Sequence, residues 1–168
     1  GYYSYDRGNW HVVAINSNCD QIGTCTAGSA EEQWLKADLA ATTKPCILAY
    51  FHYPLFDSGD SAVPAMKIYW NDLRAAGADV VLNGHAHAYE RWALQSPGGA
   101  LDPNGIRQFT VGTGGAEVYG AVAPKANSQV RSTTYGVLRL QLGASSYSWK
   151  FLPVAGQSFT DSGTTACH

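Results

Sequence analysis

Two short, mostly apolar runs, Cys46 to Phe51 and Asp79 to Asn83, bracket a stretch in which Met66, Tyr69, Trp70 and Leu73 recur at i, i+3, i+4 and i+7. The first run lacks the alternation of a sheet with one wet face, so it reads as a strand covered on both sides. The periodic stretch predicts a helix with one buried face, and Gly77 stands where a left-handed residue would finish it. Strand, helix and strand with short links form a βαβ unit, whose connection is almost always right-handed and whose strands are parallel. This pattern implies an α/β fold with Cys46 to Phe51 as a central, parallel strand.

The flanking sequence extends the sheet. Tyr2 to Asp6 and Trp10 to Asn16 are aromatic or β-branched runs joined by Arg7-Gly8-Asn9, which predicts a hairpin. Ser29 and Glu32 have capping-box spacing, and Trp34, Leu35 and Leu39 give an apolar face to a helix over Ala30 to Ala41 that Lys44-Pro45 ends. After Asn83, Ile106 to Gly112, Tyr135 to Leu142 and Ser145 to Leu152 read as strands joined by Gly/Ser/Asn-rich turns, so the second half is expected to be mostly antiparallel. Val154 to His168 reads as an ordered coil pinned by Phe159 and Cys167. The 168 residues suit one domain.

Charge narrows the partners. Only 14% of residues are charged, the formal net charge is -2, and the 11 Lys and Arg are scattered singly. No basic stripe follows a phosphate backbone, and no polybasic segment or apolar run of about 20 residues addresses a membrane. The four cysteines, Cys19, Cys25, Cys46 and Cys167, lack paired CxxC spacing, which favours disulfides over a zinc ribbon. Cys19 and Cys25 flank a short loop and are expected to pair; Cys46 with Cys167 competes with the alternative of buried free thiols. An oxidising, secreted or extracytoplasmic location is the corresponding expectation. The chain begins at Gly1 without a charged leader or apolar signal region, and so reads as a processed chain or a piece.

Three of the five histidines sit just beyond the two apolar strands: His52 after the first, His85 and His87 after the second. In open α/β sheets, ligands gather beyond the carboxyl ends of strands, where loops aim side chains without disturbing the core. A single loop histidine is ordinarily just hydrogen-bonded, but three converging on one crevice point to a metal, with imidazole suiting zinc, iron, manganese or nickel alike. Gly84 would allow a sharp turn, and the alternation His85-Ala86-His87 would aim both rings at one centre from an extended segment. His11 lies within a strand and His168 at the end of the sequence, so neither is a candidate.

The segment VVLNGHAHAYER, Val80 to Arg91, closely resembles the GHxH signature of calcineurin-like metallophosphoesterases, in the GHxHxYER form of purple acid phosphatases and secreted bacterial relatives. YYSYDRGNWHVVAINS, EEQWLKADLA, CILAYFHYPLFDSG, GIRQFTVGTGG and FTDSGTTACH agree in order, so the resemblance spans essentially the whole chain. It implies part of a four-layer α-β-β-α sandwich and a metal-dependent hydrolase of phosphate mono- or diesters. It further implies two divalent or trivalent metal ions, such as iron, zinc or manganese, in the complete domain. His52 and His85 would bind one ion and His87 the other; Tyr53, Tyr89 and Arg91 would lie near a small-molecule phosphate ester. Two cations suit that chemistry because an anionic ester repels hydroxide and its charge must be neutralised.

The family draws its other ligands from DxH or DxG, GDxx(D/Y) and GNH(D/E) motifs, and none of these occurs here. In Gly8-Asn9-Trp10-His11, Trp10 separates Asn9 from the histidine, and Asp20, Asp57 and Asp60 lack the family spacing. The chain therefore resembles the carboxyl-terminal half of the catalytic domain, with the amino-terminal half as its missing partner, no certain catalytic residue of its own, and no expected activity in isolation. Glu90 with Arg91 reads as a structural polar contact, and Gly112 to Gly115 as a bend between strands, since no GK[ST] follows. Two alternatives stay open: a truncated or degenerate module that binds metal or protein without catalysis, and a hydrolase holding a single zinc on His52, His85 and His87.

Overall fold

The computed structural model describes residues 1–120 and 122–168. The expected hairpin forms from β1 (Tyr3–Arg7) and β2 (Trp10–Ala14), with Gly8 supplying the positive φ of the turn. Helix α1 spans Ala30–Ala41; Ser29 caps it by accepting from the Glu32 N–H, while the Glu32 carboxylate reaches back to the Gly28 N–H. Strand β3 (Cys46–Phe51), a short 3₁₀ turn at Pro64–Met66, helix α2 (Lys67–Ala75) and β4 (Val80–Asn83) complete two consecutive parallel βαβ units. Gly77, at φ 77°, ends α2, and the Ala78 N–H donates back to Leu73 O.

Beyond β4 the chain runs through β5 (Tyr89–Trp92), β6 (Arg107–Val111), β7 (Ser128–Ser132), β8 (Gly136–Leu142), β9 (Ser146–Pro153) and β10 (Ser162–Ala166). The described residues form a seven-stranded mixed sheet in the order β1-β2-β3-β4-β6-β5-β7 and a three-stranded antiparallel sheet in the order β10-β9-β8. The second half is mostly antiparallel, as expected, although β6 also lies parallel to β4 and so joins the central sheet. One expectation is corrected here. The tail is not all coil: Ser162–Ala166 pairs with β9.

The two-sided burial expected of β3 has a simple origin. Ile47, Ala49 and Phe51 point into a core with α1 and α2, where Met66, Tyr69, Trp70 and Leu73 are fully buried. Cys46 and Leu48 point the other way, into a second core with Phe109, Tyr147, Trp149 and Phe151 beneath the three-stranded sheet. Each large apolar side chain so buried contributes on the order of 2 kcal/mol. The layers are thus helices, large sheet and small sheet. Disulfides join Cys19 to Cys25 and Cys46 to Cys167, the latter tying the end of the chain to the start of the central strand. Among the described residues no helix is long and apolar enough to cross a membrane.

Candidate metal centre

The parallel strands β3, β4 and β6 end on the same rim. Phe51 is paired in register with Asn83, and the Gly84 N–H donates to His52 O (3.1 Å), so the ladder carries His52 and the Gly84–His87 segment to the same place. The buried Asn83 amide fixes the rim from within, donating to Phe51 O (2.9 Å) and Tyr53 O (3.3 Å). Ser17 holds the other side of the loop by accepting from the Tyr53 N–H. Sequence reasoning misses Asn83; its signal is an amide closing an otherwise apolar strand, a residue type seldom buried without partners, and here the Nδ2 group is partnered while Oδ1 is buried without a partner among the described residues.

The backbone of the His pair is not extended, as the alternation had suggested. Ala86 N–H donates to Gly84 O (2.8 Å) and Ala88 N–H to Ala86 O (2.7 Å), giving successive three-residue turns centred on His85 and His87. The positive φ falls on His85 itself, at 61°, rather than on Gly84. A non-glycine residue there stores strain on the order of 1 kcal/mol, a cost typical of positions the surroundings must enforce. Gly112, at the end of β6, is part of that enforcement. A Cβ there would stand 2.0 Å from Ala86 O and 3.0 Å from the His87 Cα, so the glycine-rich bend is a seat for the histidine backbone.

His52 Nε2 and His85 Nδ1 lie 3.3 Å apart, with the rings nearly edge to face and Tyr53 packed against His85. Two imidazole nitrogens on one tetrahedral zinc at about 2.05 Å would be about 3.3 Å apart, so this pair fits a shared ion. Burial, then the neighbouring His52 and His87, hold His85 below its ordinary value despite the opposing pull of Asp57, which keeps a lone pair on the ring at neutral pH. His87 is oriented separately: its Nδ1–H donates to Glu117 O (2.7 Å) and its ring stacks on Tyr119. That bond fixes the tautomer and leaves Nε2 as the free donor, as is usual for a metal-binding histidine.

The three imidazoles do not bring one nitrogen each within 4.8 Å of one another. The geometry is thus a close pair plus a separately held third, which does not suit the single-zinc alternative. Among the described residues no carboxylate joins the pair at that distance either. Cys46, Asp79 and Cys167 do cluster that tightly, but the sulfurs are bonded to each other and Asp79 accepts from the Ile47 and His168 N–H groups, so the cluster is structural.

Tyr89 and Arg91, expected near substrate, lie elsewhere. Alternate residues of β5 face opposite sides. Tyr89 and Arg91 therefore point between the sheets, where both donate to Asp161 (2.6 and 2.7 Å) and Arg91 lies over the Trp149 ring. Glu90 points the other way. It is structural as expected, but its partners are the Ser58 N–H and hydroxyl and the Ser128 hydroxyl rather than Arg91. Lys125 adds to this clamp by donating from its N–H to Ser58 Oγ and from Nζ to Asp57 O.

No family model matches the chain. It is 31% identical over 162 residues to purple acid phosphatase 18 of Arabidopsis thaliana, covering 88% of this chain and 35% of that protein. It is 33% identical over 155 residues to purple acid phosphatase 22 of the same plant, covering 84% and 34%. The chain thus spans about a third of the length of these curated relatives. The solved purple acid phosphatase PPD1 from yellow lupin (Lupinus luteus) seeds superposes with a TM-score of 0.81 at 19% identity, covering 98% of this chain and 32% of that one, and shares its fold. Sequence relationship, fold and the GHAHAYER motif together place this chain in the purple acid phosphatase-like family of calcineurin-like metallophosphoesterases.

Proposed function

We propose that this chain contributes His52, His85 and His87 to the metal centre of a phosphoric ester hydrolase, the remaining donors coming from the amino-terminal half of the same domain. The observation that carries this reading is the 3.3 Å His52–His85 pair beside a third imidazole locked in one tautomer by Glu117 O. His52 and His85 would hold one ion and His87 a second, of iron, zinc or manganese type. Bound there, the ions would supply charge neutralisation for the phosphate ester and a nucleophile near neutral pH. The chain's own residues prepare that chemistry. Asn83 and Ser17 fix the His52 loop, Gly112 seats the His85–His87 turns, and Glu117 O aims His87.

The need for further donors follows from the set itself, which holds imidazoles and no converging carboxylate among the described residues. An open groove of about 630 Å³ beside His52, lined by Ile15, Tyr50, Leu82, Val111, Leu138 and Leu140, supports a missing packing partner. So does β8, which pairs on one side only, with β9, among the described residues. Two disulfides support a secreted or extracytoplasmic location.

The test is metal content and phenyl phosphate hydrolysis by this chain alone and by the full-length protein that carries it. The expected result is two ions and turnover in the full-length protein, with no turnover by the chain alone. Robust hydrolysis by the chain alone would overturn the missing-half reading. Full-length protein that binds no metal would favour a non-catalytic module.

A further inference from the structure

A second cleft, of about 480 Å³, opens beside His85 between the Gly59–Ser61 loop, Tyr119 and Arg131. Arg131 stands opposite Glu90 in the β5–β7 register, so the two side chains share a face. The Arg131 side chain is only 6% exposed; its Nε is closed to solvent and forms an ion pair with Glu90 Oε1 at 4.0 Å without a hydrogen bond, so the outer Nη groups are the ones that can meet the cleft. Glu90 does not close that gap because its carboxylate is taken up by the Ser58 N–H and hydroxyl and the Ser128 hydroxyl. A guanidinium is always charged and carries five donors in a rigid fork; burying it with donors unspent is costly unless an oxyanion completes the set. The carboxylate of Asp60 also lines the cleft but is exposed, where solvent screens it.

The cleft adjoins the proposed metal centre through His85, so a phosphate ester held at the histidines would extend its organic part toward Arg131. We propose that Arg131 is a specificity-determining residue that recognises a second oxyanion on the organic part of the ester. The preferred substrates are then phosphate esters carrying a further acidic group, with Tyr119 offering a flat apolar wall between the two charges. This assignment rests on the metal-centre reading for the position of the first phosphate.

The experiment compares titration calorimetry of phenylphosphonate and 4-carboxyphenylphosphonate with the metal-loaded full-length protein, which needs no turnover. A charge-assisted contact predicts at least about a tenfold preference for the carboxylated compound. Arg131→Gln should collapse the preference and Arg131→Lys should retain part of it. Because Arg131→Gln could perturb the Glu90 clamp, Ser61→Asp on the opposite wall is the second variant, and repulsion should lower the preference there too. The absence of a preference in the unsubstituted protein, or one unchanged in both Arg131→Gln and Ser61→Asp, would overturn the proposal. A preference that persists in a protein unable to hydrolyse phenyl phosphate would sink the catalytic reading and leave the role of Arg131 standing.

Discussion

Substituting Gly112 by alanine would drive a methyl group into the backbone that carries the histidines. The new carbon would lie 2.0 Å from Ala86 O and 2.8 Å from Ala86 C, against an ordinary contact of about 3.5 Å, a deficit of roughly 1.5 Å. Neither neighbour is a flexible side chain that could swing aside. Gly112 N–H also donates to Ala88 O, so the strand end and the His85–His87 turns must separate together. Overpacking of this kind costs about 1–3 kcal/mol, and metal sites tolerate ligand displacements of only about 0.2 Å. The expected result is a stability loss in that range by urea unfolding, with zinc affinity weakened by about ten- to a hundredfold in titration calorimetry. Gly114→Ala is the control: a Cβ there meets nothing within 4 Å, so stability should stay within about 0.5 kcal/mol. A Gly112→Ala variant matching that control in both stability and zinc affinity would refute the reasoning.

Other perturbations test the frame around the site. Cys46 and Cys167 are 121 residues apart and Cys19 and Cys25 only 6, so chain entropy predicts that removing the long-range disulfide by paired Cys→Ala changes costs about 5 kcal/mol against about 2 for the short one. Equal losses in guanidinium melts would show that strain or residual structure, not loop closure, governs them. At Asp161, burial pushes the carboxyl up, but donation from Arg91, Tyr89 and Trp149 outweighs it and leaves the group below its ordinary value near 3.8. A depressed carboxyl contributes stability above the unfolded value and loses it as pH falls through the folded one. Asp161→Asn should therefore be less stable at neutral pH and show a flatter decline in acid below about pH 4; an unchanged acid limb in thermal melts would contradict this. Ser29→Ala should cost about 1 kcal/mol through the lost helix cap, whereas a neutral result in the same melts would mean the Glu32–Gly28 bond caps α1 unaided.

Periodicity and spacing alone determined the hairpin, both helices, the parallel β3–β4 pair and the rim at which the histidines gather, because each rests on local patterning that a chain carries wherever it folds. Ser29 with Glu32 marked the start of α1, and Met66 to Leu73 its companion's buried face, without reference to any distant residue. Strands β5, β7 and β10 escaped: YERW, SQVRS and SGTTA have too little apolar alternation to declare themselves and become strands only because a neighbour offers an edge. The same holds within the site. That Gly112 seats the His85–His87 turns, that Glu117 O selects the His87 tautomer, and that Tyr89 and Arg91 serve Asp161 are pairings across 25 to 72 positions of sequence. Such pairings depend on which strands lie side by side, and that is decided by the joint packing of both cores rather than by any segment alone.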